Sequence, residues 1–385
     1  MGELLLLSFL IVIYFNARKS LSISLFLKVV VTILIMWGAL IILRGEWNGS
    51  RTALMLNVIG HNGVILYLLP LLVFLPLSGF TLHKILYLLF LYSLFIYPLW
   101  LLNIQDLIQR GSFSYRTETI GVFLAFLSGF LLFFHPIFTK GQNLAIRITL
   151  LIYLVLMLIN ARRNICFSII TLLFLAYLVN SFIVKKEAIY SNILAFGGVL
   201  ILILIILINL NSLLSGFFSY LGERGTTDTR SGVEELFFYD FNRSGINDWL
   251  FGRGLNGTYY QEMVDSDTGE ITTDRGGIET GYLDLVLKGG ILYNILLLVI
   301  LIPAIVKGLG SRKMVGVSCG LFLLTYLVDL YTTSPLSSVS IRSILFYLCI
   351  SVCYRKVRYI GYRDLKRLKY RYDKKLKNKI YMKIR

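Results

Sequence analysis

Long apolar blocks alternate with short polar stretches along most of the chain. Blocks at about 22–43, 62–78, 85–102, 119–137, 144–160, 165–184, 190–210, 283–306, 314–331 and 338–354 are rich in Leu, Ile, Val and Phe and poor in charge. Most run to roughly 15–22 residues, the length of helix that crosses about 30 Å of hydrocarbon. A shorter block at 4–15 comes first. Glu3 is the only charged side chain before it and the basic residues Arg18 and Lys19 follow it, the reverse of a secretory leader. It therefore reads as a retained first span with the N-terminus outside. The pattern predicts an all-α polytopic membrane protein of about eleven transmembrane helices, within a range of ten to twelve. The unbroken Leu/Ile runs exclude a β-barrel, whose strands alternate apolar and polar residues.

Composition supports this class. Of 385 residues, 57% are hydrophobic and only 15% charged, with a mean hydropathy of +0.75. A soluble domain carries about 25% charged residues, so a water-soluble enzyme is excluded. The net charge of +17 is concentrated at one end. Residues 355–385 hold 14 Lys/Arg against two Asp and directly follow the last apolar block. Such a tail suits anionic headgroups and sets topology, so nucleic acid is not the expected partner. Cys166, Cys319, Cys349 and Cys353 all lie in apolar blocks without metal-type spacing. They read as buried apolar side chains, not as a disulfide framework or zinc site.

The short loops give the orientation. Arg18/Lys19, His83/Lys84, Lys140, Lys185/Lys186, Lys307/Arg312/Lys313 and the basic tail fall on one side of the predicted spans, which makes that side cytoplasmic. The predicted layout is helices one to eight over 1–210, a large external loop over 211–277, helices nine to eleven over 278–354, and a cytoplasmic tail over 355–385. At about 67 residues the loop exceeds a plain connection. Its many aromatic residues argue against disorder, and 231–241 reads as an amphipathic helix at the membrane interface.

The external positive charges are arginines without exception: Arg44, Arg51, Arg110, Arg116, Arg162, Arg163, Arg224, Arg230, Arg243, Arg253 and Arg275. A guanidinium fork suits bidentate phosphate recognition, whereas lysine acts as a point charge. The set suggests a pyrophosphate or acidic saccharide ligand. Arg162 and Arg163 occupy a short turn between two spans, on the side that disfavours positive charge. They either snorkel to lipid phosphates or bind an anion within the protein. Beyond the loop, Glu279 stands at the mouth of a membrane helix. It either complements the helix dipole or acts as a general base tuned by burial and nearby arginines. Asp284 is deeper and a weaker candidate. His61, His83 and His135 are scattered and no GxxxxGK[ST] occurs, so neither a metal, an ATP site nor another cofactor is expected.

Three ordered pieces resemble the O-antigen polymerase and ligase superfamily of membrane glycosyltransferases. They are the Arg162–Arg163 turn; Asp228-Thr-Arg230 followed by Asp248-Trp-Leu-Phe-Gly252-Arg-Gly254, with ten residues between Arg243 and Gly254; and Glu279-Thr-Gly-Tyr282-Leu283 with Gly290 beyond. The resemblance covers roughly 150–310. It implies transfer of an undecaprenyl-diphosphate-linked oligosaccharide onto a second such unit at the periplasmic face of the bacterial inner membrane, making O-antigen, capsule or exopolysaccharide. Glu279 would then be the catalytic base, with Arg162, Arg163, Arg230, Arg243, Gly252, Gly254 and Tyr282 binding diphosphate or substrate. A flippase and a chain-length regulator are the implied protein partners. Ligases of the family carry histidine where this chain has Glu279, which favours the polymerase branch. A ligase using another base, conceivably His61 beside Asn62, and a lipid-linked-oligosaccharide transporter are the rival readings. Four deep charges, Lys28, Arg147, Asp329 and Arg342, bear on the transporter, and Asp329 and Arg342 are placed to pair across a short loop.

Overall fold

A computed structural model describes residues 8, 23–47, 50–60, 62–102, 115–159, 163–184, 230–264, 271–334, 336–368 and 370. The block at 4–15, the block at 190–210, the loop up to residue 229 and the end of the tail lie outside the described residues. About 79% of the structure is helical. In chain order the helices are α1 (Leu25–Leu43), α2 (Arg51–Ile59), α3 (Val64–Leu68), α4 (Gly79–Leu102), α5 (Tyr115–Leu132), α6 (Lys140–Ile159), α7 (Arg163–Val179), α8 (Arg230–Ser244), α9 (Ile246–Phe251), α10 (Gly281–Gly310), α11 (Met314–Thr332) and α12 (Ile341–Tyr354). Between α9 and α10 the strands β1 (Tyr259–Val264) and β2 (Ile271–Arg275) form an antiparallel hairpin that pairs Tyr259 with Arg275.

Among the described residues five helices are long and apolar enough to cross a membrane: α1, α4, α7, α10 and α11. This makes a polytopic membrane fold plausible and leaves the count of about eleven unmatched. Two expected spans differ in kind. The block at 62–78 is not one helix. It is α3 running into a 3-10 turn at Leu69–Phe74, where Pro70 falls in the first positions and can donate no backbone hydrogen bond. The block at 338–354 yields only the 14-residue α12, started by a reciprocal Ser340/Ser343 capping box.

The chain divides into two compact units. One comprises Leu86–Asp228, Arg312–Met314 and Ile360–Arg385. In it α5, α6 and α7 close around Leu124, Leu150, Tyr153, Met157, Cys166 and Ile169. Gly129 lets α5 approach α7, where a Cβ would stand 3.1 Å from Leu172.

The other unit comprises Met1–Ile85, Thr229–Ser311 and Val315–Tyr359. Its centre is α12, buried along its whole length, which packs against α10 and the 3-10 turn. A charge pair crosses from α11 to α12: Arg342 Nη2 meets Asp329 Oδ2 at 2.5 Å, both side chains buried. The pairing expected from sequence is therefore formed. Phe26 at the start of α1, Lys307 near the end of α10 and Tyr354 at the end of α12 gather at one end, with Lys307 Nζ 4.1 Å from the Tyr354 ring centre. Arg355 follows there; its burial pushes the guanidinium down to about 10. At the opposite end, the last turn of α1, the last turn of α11 and the start of α10 meet the region 230–280. That region has its own core, in which Phe237, Phe241, Tyr259, Ile278, Val286 and Leu287 pack together with Trp249.

Candidate functional site

α10 contains two helices. Gly290 has φ 74° and ψ 176°, a conformation available to glycine at little cost, and it breaks the run into 281–289 and 291–310. In a straight helix residues 12 apart are separated by about 18 Å. Here the Asn294 side chain donates to the Tyr282 carbonyl at 3.0 Å, so the second segment folds back beside the first. The break leaves carbonyls at the end of the first segment without their helical partners. Other parts of the unit satisfy them. Arg253 N donates to Leu287 O at 2.7 Å, Gly254 N to Lys288 O at 3.0 Å, and Trp37 Nε1 of α1 to Gly289 O at 2.8 Å. Leu255 N closes the junction on Ile41 O at 3.0 Å.

This junction accounts for Gly252 and Gly254. Both have positive φ, 69° and 85°. A Cβ on Gly252 would lie 2.6 Å from Gly289 N, and one on Gly254 would lie 2.7 Å from Arg44 O. The glycines admit backbone to backbone, where the sequence alone suggested a place for diphosphate. Arg253 between them is likewise committed. Its Nη1 meets Asp240 Oδ2 at 2.5 Å, its Nε meets Asp248 Oδ2 at 2.7 Å, and it also reaches Thr258 O and Ser244 Oγ. Burial works against the charged guanidinium, but the two carboxylates outweigh it and raise its pKa. The Tyr282 hydroxyl donates to Leu327 O of α11 at 2.9 Å, joining α10 to α11.

The mouth of α10 gathers the chemistry. Thr280 is the N-cap, and its hydroxyl donates to Glu234 of α8. Asp284, in the first turn and buried, accepts from Ile278 N at 3.3 Å. The carboxylate thereby fastens the approaching loop and complements the helix dipole. Lys288 stands one turn further along and donates to Gly257 O at 2.7 Å. Ser334, just past α11, donates to Ile278 O at 2.6 Å. Between these fixtures Glu279 stays exposed. Arg275, half-buried at the end of β2, gives Nη1 to Gln261 Oε1 at 2.9 Å. Tyr259 opposite is buried, which raises its pKa. Arg275 pulls that value down and Asp284 and Glu279 push it up, so all three charges lie within electrostatic reach of one phenol.

The structure thus brings together Glu279, Asp284, Arg275, Tyr259 and Glu234. Arg243 is exposed in the last turn of α8. Arg163 and Arg230 open α7 and α8, but their side chains, and Arg162 altogether, lie outside what is described. In the sequence Arg275 is one of eleven external arginines, and Lys288 is a single lysine within an apolar run. The signal that could have found the arrangement is the Gly289-Gly290 pair inside an apolar run, directly after an Asp–Lys pair spaced four apart. No group of His, Cys, Asp and Glu suited to holding a metal occurs among the described residues. No protein-family model and no curated protein matches this sequence.

Proposed function

We propose that this chain is a metal-independent membrane glycosyltransferase that polymerises polyprenyl-diphosphate-linked oligosaccharides. The observation that carries the reading is the exposed Glu279 carboxylate at the mouth of a broken membrane helix, next to the Thr280 cap and to Ile278, whose N–H the buried Asp284 accepts. In the step proposed, Glu279 takes the proton of an acceptor sugar hydroxyl. The hydroxyl oxygen bonds to the anomeric carbon of the donor, and the carbon–oxygen bond to diphosphate breaks with inversion. Polyprenyl diphosphate leaves with the bonding electron pair, and guanidinium groups offset its charge. Arg275 and Arg243 are the described candidates for that role; Arg162, Arg163 and Arg230 are carried over from the resemblance. Gly252, Gly254, Arg253 and Tyr282 build the junction that supports the site. In this reading the chain crosses a bacterial inner membrane about eleven times, with the 211–277 loop periplasmic and the basic tail cytoplasmic. A flippase would deliver the lipid-linked unit, and a chain-length regulator is the further partner proposed.

A second reading, transport of the lipid-linked unit, is favoured by the break at Gly290 next to Asp284 and Lys288. Discontinuous helices carrying ionisable groups are how many transporters hold substrate. The two readings separate in one assay. Purified protein is incubated with lipid-diphosphate-linked repeat units and a chelator, and product length is read on a gel. Wild type should give a ladder that Glu279→Gln abolishes and Arg275→Ala weakens at least about tenfold, the scale of a lost charge-stabilising contact. No ladder from wild type, together with movement of the lipid-linked unit across proteoliposomes, would replace polymerisation by transport. Glycan joined to an added lipid acceptor without a ladder would point to a ligase.

A further inference from the structure

The region 230–251 buries one set of apolar side chains in the fold and exposes a second, which is interspersed with the exposed polar residues Glu235, Asn242, Arg243 and Asn247. On α8, Phe237 and Phe241 are fully buried, while Phe238 and Tyr239 are 41% and 65% exposed. On α9, Ile246 is 67% and Phe251 is 43% exposed. Two of the exposed rings stack on half-buried tryptophans: Phe238 on Trp249 with centroids 5.9 Å apart, and Phe251 on Trp37 of α1 at 5.7 Å with planes 12° apart.

The Trp37 contact sets the depth of this band. Trp37 lies six residues before Leu43, the last residue of α1, which places it about 9 Å below the end of that helix. α1 is long and apolar enough to cross a membrane. It presents an exposed apolar stripe, Leu25, Val29, Ile33, Met36, Leu40 and Leu43, at the spacing of one helix face. The aromatic band continues that stripe sideways. Interfacial helices sink about 5–10 Å into the boundary between headgroups and acyl chains, and Trp and Tyr concentrate at that level. Arg243, exposed at the end of α8, has the length to reach a phosphate from there.

The geometry points to α8 and α9 as a membrane-embedded shelf: Phe238, Tyr239, Ile246, Trp249 and Phe251 rest in the interfacial layer of the bilayer, on the side where α1 ends. The occupant is lipid, because the band is continuous with a lipid-facing stripe and lies at interfacial depth. The inference is independent of any catalytic role for Glu279.

Site-directed spin labelling tests it. The cysteines Cys166, Cys319, Cys349 and Cys353 are free and buried, so an introduced surface cysteine can be labelled selectively. Ile246→Cys and Tyr239→Cys would be prepared in the full chain. Leu40→Cys serves as the lipid reference and Thr273→Cys, exposed in the hairpin, as the water reference. In vesicles of phosphatidylethanolamine and phosphatidylglycerol, relaxation by oxygen is compared with relaxation by a water-soluble nickel chelate. At Ile246→Cys and Tyr239→Cys the oxygen-to-nickel ratio should resemble that at Leu40→Cys and exceed that at Thr273→Cys severalfold. A ratio like that at Thr273→Cys, or shielding from both relaxants as under a protein partner, overturns the proposal. Brominated lipids give a reading without introduced cysteines. They should quench wild-type fluorescence more than that of Trp249→Phe, and equal quenching counts against the shelf.

Discussion

At the scale of single residues, commitment distinguishes the charged side chains. Arg253 makes four contacts through its side chain, two of them to carboxylates. Removing it leaves Asp240 and Asp248 facing each other across a partly buried gap. Arg253→Ala should therefore lower the stability of the loop region by about 2–4 kcal/mol, seen as faster cleavage between α8 and β2 in limited proteolysis. Asp329→Asn strands Arg342 in a buried setting and should cost about 3–5 kcal/mol, whereas Asp329→Leu with Arg342→Met should recover much of the loss. Thermal unfolding of the detergent-solubilised chain would compare the three. Little of this distinction was legible in the sequence. Arg253 and Arg275 both appeared as external arginines beside glycines and acids, and only three-dimensional neighbours separate the one that is a clasp from the one that borders a site. Asp329 and Arg342 were legible, because two opposite charges flanking one short loop have few other ways to avoid the cost of burial.

At the scale of elements, helix positions were legible in the apolar blocks and helix continuity was not. α1 and α11 follow their apolar blocks closely, as does the start of α7, because hydrophobic length is itself the physical requirement. The break in α10 went unread because glycine in a membrane helix is common, and what makes Gly290 different is the backbone pressed against it. A Cβ there would overlap Leu250 O and lie 2.5 Å from Phe251 N. Gly290→Ala should thus prevent correct folding, detected as loss of the monodisperse species on size exclusion. Gly245 is the control. Its φ of 99° is equally demanding, but a Cβ would meet nothing within 4 Å, so Gly245→Ala should cost only backbone strain, about 1–3 kcal/mol. The small hairpin was missed altogether. Five- and six-residue strands in an otherwise polar loop leave little alternation to detect.

For the whole molecule, one end of one unit collects the end of α1, the start of α10 and the end of α11 together with the 230–280 region. The opposite end collects Lys307, Arg355 and Arg358. Positive charge is retained on the cytoplasmic side, so an impermeant maleimide should label Thr273→Cys, but not Lys356→Cys, on intact spheroplasts. The reverse pattern would invert the proposed orientation. The sequence reading also assigns these segments to opposite sides, from the charge in its short loops.

The bond from Trp37 to Gly289 joins residues 252 positions apart. At a synthesis rate of about 5–20 residues per second, α1 leaves the ribosome roughly 12–50 s before its partner exists. Throughout that interval the indole N–H that will serve the broken helix must be occupied by lipid carbonyls or water, and the unit cannot close. Assembly is thus timed by translation. α1 is held in waiting while the intervening segment is inserted, and an abrupt pause or truncation after residue 228 would leave an exposed seam for membrane quality-control proteases to find.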